Sequence, residues 1–314
     1  MFNLAQIILF PFVSLPCLLI CFLFYRYGKK PLSGLKTFTD RMEIPYTFTA
    51  SALLGQFLFQ ALPNSTGIGT STYSAIVNAF IMLGFFVMLC IQKCERFNHD
   101  NEYYISPEAS NGYVEVTHML DTDKMQIVEY FQIESDEKPE NHLRLEDENS
   151  ELQKRRKLCF LLLIIMVILC IFEGFFLIYR EPTVPGGSWV LFVFFIFEKC
   201  LESAIVSTNM LHAFYHATTE RQWNWFLIGS VVWSVSIVLS VIPVCAQMPY
   251  QDAANMVTHL ATSIFYALAG GILFWFALYY IWIDRKRTDK VETFIRLCVF
   301  GFVAVLSWLC GYFI

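Results

Sequence analysis

The stretch KLCFLLLIIMVILCIFEGFFLIY, residues 157–179, decides the fold. Beyond its first residue it carries one charge, Glu173. A helix needs about 20 apolar residues to cross the hydrocarbon core of a bilayer, and this run is long enough. Seven further runs share its character, at about 4–25, 45–63, 72–92, 188–211, 223–246, 256–282 and 293–313. Together they predict an all-α polytopic membrane protein with eight transmembrane helices. The composition agrees, with 56% hydrophobic and only 16% charged residues, where a soluble domain carries about 25% charged. This excludes an ordinary soluble enzyme and a disordered chain. A net charge of −5 excludes a nucleic-acid binder, which needs a basic face. The expected partner is the lipid bilayer. Most of the ten cysteines lie inside apolar runs and none forms a CxxC pair, so they read as small core residues of helices.

Lys and Arg set the orientation. Arg26, Lys29, Lys30, Lys36 and Arg41 follow the first helix. Lys93 and Arg96 open the long loop, and Lys154, Arg155, Arg156 and Lys157 close it. Arg285, Lys286, Arg287 and Lys290 precede the last helix. Alternating crossings put all three loops on one side, and the opposite loops hold Arg180 alone. The loops are therefore expected in the cytoplasm and both termini on the extracellular or lumenal side, with the plasma membrane favoured over an internal one. No basic residue precedes the first helix, which argues against a cleaved signal peptide. The sequon Asn64-Ser65-Thr66 falls in an outside loop, where a glycoprotein would carry its sugar.

The expected organisation is three helices in residues 1–96, a loop over 97–156 and five helices in 157–314. The loop holds 15 of the 27 acidic residues, a composition that reads as largely disordered, with a short amphipathic helix over Asp121–Gln132. His99, His118 and His142 are dispersed in it and form no metal buffer. No GxGxxG, Walker A, HExxH or GxSxG motif occurs, and no Asp lies mid-membrane, so no enzyme and no resident cofactor are expected.

Ionisable residues within membrane spans are costly and usually functional. Helix four contributes Glu173, with Cys170 near the same face. Helix five contributes Glu198, Lys199 and Glu202. At about 100° per residue, Glu198, Glu202, Asn209, His212 and His216 form a polar stripe running toward the inner surface. Two such faces meeting would make a carboxylate-lined cavity, with Glu173, Glu198 and Glu202 converging on one point. So many carboxylates need a divalent cation, protons or the Lys199 ammonium to coexist.

These segments resemble the Zrt/Irt-like (ZIP) metal transporter family. Leu169-Cys170-Ile171-Phe172-Glu173-Gly174 is similar to that family's His-x-x-x-Glu-Gly, and Glu198-Lys199-Cys200-Leu201-Glu202 to its His-Lys-x-x-Glu. Gly55 to Pro63 resembles its run ending in His-x-x-Pro-Glu. Leu83-Gly84-Phe85-Phe86-Val87 and Ala269-Gly270-Gly271-Ile272-Leu273-Phe274 look like its third and seventh helices. The chain departs from the pattern in four places. Leu169 and Glu198 stand where the family has metal-binding His, Gln60 replaces the helix-two His, and helix six lacks the usual Pro-x-Gly break.

The resemblance implies a 3+2+3 arrangement of helices, a homodimer among its assemblies, and divalent metal transport into the cytoplasm. Its metal site would comprise Glu173, Glu198, Glu202 and Cys170, with His212 and His216 receiving the ion at the exit. Zinc is expected first by resemblance, and manganese or iron by the hardness of the donors. The alternative is a transport-inactive scaffold or metal sensor with a degenerate site.

Overall fold

A computed structural model describes residues 2–29, 38–66, 71–100, 104–105, 113–119, 126–132, 139–181, 187–214, 220–257, 260–283 and 290–313. The helices are α1 (Leu4–Leu9), α2 (Ser14–Lys29), α3 (Phe38–Gln56), α4 (Leu62–Thr66), α5 (Ser71–Asp100), α6 (Pro139–Arg180), α7 (Gly187–Phe214), α8 (Glu220–Ser240), α9 (Ile242–Cys245), α10 (Tyr250–Val257), α11 (Leu260–Ile283) and α12 (Lys290–Phe313). A 3-10 turn at Phe10–Val13 joins α1 to α2, and a π turn at Phe57–Ala61 joins α3 to α4. Three strands, β1 (Tyr104–Ile105), β2 (Tyr113–Met119) and β3 (Gln126–Gln132), complete the described chain.

Two compact units emerge. Residues Met1–Phe85 and Glu151–Ile314 form the first, so the helices on both sides of the loop build one body. Its described residues are helical apart from short connections. Residues Phe86–Ser150 form the second, which contains an antiparallel sheet in the order β1-β2-β3, with Tyr113 opposite Gln132 and Met119 opposite Gln126. The sheet lies within the stretch expected to be largely disordered, and β3 occupies Gln126–Gln132 of the amphipathic helix expected over Asp121–Gln132, whose residues 121–125 lie outside the described ones. Ile127, Val128, Tyr130 and Phe131 are β-branched or aromatic, and β2 sets Val114 opposite Phe131 and Thr117 opposite Val128, so cross-strand pairing overrides the short helical pattern.

Among the described residues, five helices are long and apolar enough to cross a membrane: Leu4–Tyr27, Gln153–Arg180, Trp223–Cys245, Ala261–Ile281 and Thr293–Tyr312. Ala75–Ile91 is a shorter apolar helix. The other two expected crossings fall on α3 with α4 and on α7. Every membrane-length window of α7 contains three charged residues, Glu198, Lys199 and Glu202. Leu15, Leu19 and Phe22 of α2, Val231 and Val235 of α8, and Phe294, Leu297 and Phe302 of α12 are exposed. In water these would be large aggregation-prone patches. In lipid they cost nothing, and helices satisfy their own backbone polar groups. The chain is a multi-pass membrane protein.

The helix that carries these charges is enclosed: every residue of α7 from Leu201 to Phe214 is buried. It packs against α2, α3, α8 and α12, while α3 also packs on α11 and α12. Small residues allow the close approaches. A side chain at Gly174 of α6 would meet the carbonyl oxygen of Ser240, and one at Gly55 of α3 would strike Ser307 of α12. Asn64 of the sequon is half-buried, and its side-chain oxygen accepts a hydrogen bond from the Arg180 guanidinium at 3.1 Å.

Candidate metal centre

Gly174 seats α6 against α8, and this places the preceding residue, Glu173, in the interior. One turn earlier on the same helix lies Cys170, fully buried. Glu202 of α7 meets them. One ligand atom from each of Cys170, Glu173 and Glu202 lies within 4.8 Å of the others. Lys199, fully buried, is in the same place. Its ammonium donates to Glu202 Oε2 at 2.6 Å and forms an ion pair with Glu173. The ring of Phe195 lies 5.2 Å from Lys199 Nζ, at a distance suited to cation–π attraction. Gln56 of α3 completes the shell of Glu202, donating from Nε2 to Oε1 at 2.7 Å.

The surrounding hydrogen bonds hold α7 in register. Ser203 Oγ donates to the Lys199 carbonyl at 2.6 Å and accepts from Trp233 Nε1 at 2.8 Å, tying α7 to α8. Two carboxylates and one ammonium leave one uncompensated negative charge in an apolar bundle. Such an arrangement tolerates, and attracts, a further cation.

The expected ligands divide. Cys170, Glu173 and Glu202 come together. Glu198 is buried but lies outside their group, facing a different cavity with Gln56 and Gln60. His212 is ten residues beyond Glu202, about 15 Å along the helix. Its Nδ1 is 2.6 Å from the Tyr46 hydroxyl and its Nε2 3.3 Å from that of Tyr279. Next to it, Tyr280 donates to Asn209 Oδ1 at 2.8 Å, and Asn209 Nδ2 donates to the Cys159 carbonyl at 3.2 Å. The lower part of the polar stripe is thus a hydrogen-bonded tyrosine cage. His216 lies outside the described residues.

Sequence reasoning missed Gln56 as the partner of Glu202. Its signal was a lone amide in an apolar run, one turn before Gln60. Comparison of the chain with protein-family models, with characterised proteins and with solved structures yields no match.

Proposed function

We propose that this chain is a carrier of divalent metal ions of the ZIP type, crossing the membrane eight times and moving zinc, or manganese and iron, into the cytoplasm. The observation that carries this reading is the buried Cys170–Glu173–Glu202 triangle inside a multi-pass helical bundle. Ionisable groups in such surroundings mark ion paths more often than they stabilise a fold. The motif order on the helices that supply the triangle supports the same reading. Two carboxylates and one thiolate suit zinc or a borderline divalent ion. An entering dication competes with the Lys199 ammonium for the same two carboxylates, so Lys199 acts as a resident counter-ion that must be displaced.

The Lys199 pairing also favours a second reading, the transport-inactive scaffold, in which the ammonium fills the metal position permanently. Binding separates the two. The purified chain, stripped with chelator, should take up about one Zn²⁺ or Mn²⁺, and Glu173→Gln or Glu202→Gln should weaken this at least tenfold, the scale seen on removing groups that support a metal site. A stripped chain that binds neither ion would leave the scaffold.

A further inference from the structure

Glu198 is 2% exposed, yet neither of its carboxylate oxygens has a hydrogen-bond partner among the described residues. Gln56 Oε1 and Ser307 Oγ are among the other buried oxygens that share that condition. All three residues line one small cavity where α3, α7 and α12 meet, together with Gln60 and Cys310, and it has room for about one water-sized body. The fold builds this convergence in two steps. Gly55 lets α12 approach closely enough to bring Ser307 in. The π turn at Phe57–Ala61, directly after Gln56, offsets the helix so that Gln56 and Gln60 both reach the cavity.

The orientation of the Gln56 amide is the informative detail. Its Nε2 end is committed to Glu202. Its carbonyl end is left without a partner beside the cavity that Glu198 lines, and two unpartnered acceptors at one small space call for a donor or a cation between them. We propose that this cavity is a binding site for one dehydrated Na⁺, held by the Glu198 carboxylate, Gln56 Oε1 and Ser307 Oγ.

The donors are hard oxygens, which suit s-block cations rather than zinc. The single carboxylate, already in the field of Arg180, carries too little charge for a divalent ion. The charged and titratable groups acting on Glu198 are Glu202 on its own helix, Arg180 of α6, Tyr266 of α11 and Cys310 of α12. Arg180 donates to the Gly311 carbonyl and Asn64, and no hydrogen bond from it reaches the Glu198 oxygens, so it acts on Glu198 through its field. A proton or a water would also serve these oxygens, and a Na⁺ response at fixed pH separates Na⁺ from both. Coupling-ion sites of this kind recur where irregular helices meet near the bilayer midplane.

The test uses the purified full chain in detergent with EDTA present. The thermal unfolding midpoint is followed as NaCl replaces choline chloride at constant ionic strength, with KCl and a pH series as comparators. The midpoint should rise saturably with Na⁺ and respond less to K⁺, whose lower charge density binds carboxylate oxygen more weakly. Ser307→Ala should raise the Na⁺ concentration for half-effect about tenfold, the scale of one lost contact to a charged group. Glu198→Gln should abolish the response. If Glu198→Gln fails to fold, the wild-type titration and Ser307→Ala still decide. A midpoint indifferent to Na⁺, one that answers to pH alone, or a Ser307→Ala titration identical to wild type overturns the proposal. EDTA keeps divalent ions out, so the result stands apart from the divalent-metal reading. A chain that binds Na⁺ but no Zn²⁺ or Mn²⁺ would sink that reading alone.

Discussion

Replacing Lys199 by Met removes the cation from the carboxylate cluster while keeping the straight aliphatic stem, so little cavity is created. At the 2.6 Å separation from Glu202 and an effective dielectric of about 20, the Coulomb attraction of that one pair is about 6 kcal/mol. Desolvation of a fully buried ammonium offsets much of it. Removing one partner of a buried pair typically costs about 3–5 kcal/mol, because the remaining charge is left uncompensated. Here two carboxylates are left, Glu173 and Glu202, so Lys199→Met should fall at the upper end when chelator is present. Adding Glu173→Gln should restore about 1–3 kcal/mol, the coupling expected of groups in one network. Saturating Mn²⁺ should also rescue the single variant, by about 2.7 kcal/mol at one hundred times its dissociation constant. The assay is reversible unfolding in mixed micelles. A Lys199→Met chain as stable as wild type in EDTA would refute the reasoning, since the ammonium would then not be what holds the carboxylates together.

Two further outcomes are expected. Tyr46→Phe removes a hydroxyl 2.6 Å from His212 Nδ1 and should cost about 1–3 kcal/mol of stability while leaving the affinity for Mn²⁺ unchanged; a change in Mn²⁺ affinity would place His212 in the metal path. Epitopes inserted at residue 130 and at residue 287 should both be hidden from antibody in intact cells and exposed after permeabilisation, because both loops belong to the Lys- and Arg-rich side; staining of either in intact cells would overturn that orientation.

Much of the helical body was legible in the sequence because membrane helices announce themselves by length and apolarity, which need no knowledge of tertiary packing. The meeting of Glu173 with Glu202 was also legible, since each is a rare charge on its helix and rare charges in lipid seek one another. Glu198 was not. It shares a face with Glu202 by its i, i+4 spacing, but one turn shifts it by about 6 Å along the axis. Lys199, three residues before Glu202, reaches the cluster instead. The π turn after Gln56 left no periodicity signal, so the cavity that Gln56 and Gln60 line could not be drawn in advance. The strands of the acidic loop escaped for a different reason. Their stability lies in pairing between β2 and β3, which a composition argument does not see.

The central claim is that the buried triangle moves a divalent metal. Uptake of Zn²⁺ and Mn²⁺ into cells producing the chain, compared with cells producing Glu202→Ala at matched surface abundance, tests it most directly. Loss of Glu202 removes a proposed ligand, takes the acceptor from Gln56 Nε2 and leaves Lys199 with Glu173 alone, so the account predicts uptake above background for the wild type and a loss of at least tenfold for the variant, no less than the loss of a supporting group brings. Uptake at background for the wild type, with Glu202→Ala indistinguishable from it, would contradict the account.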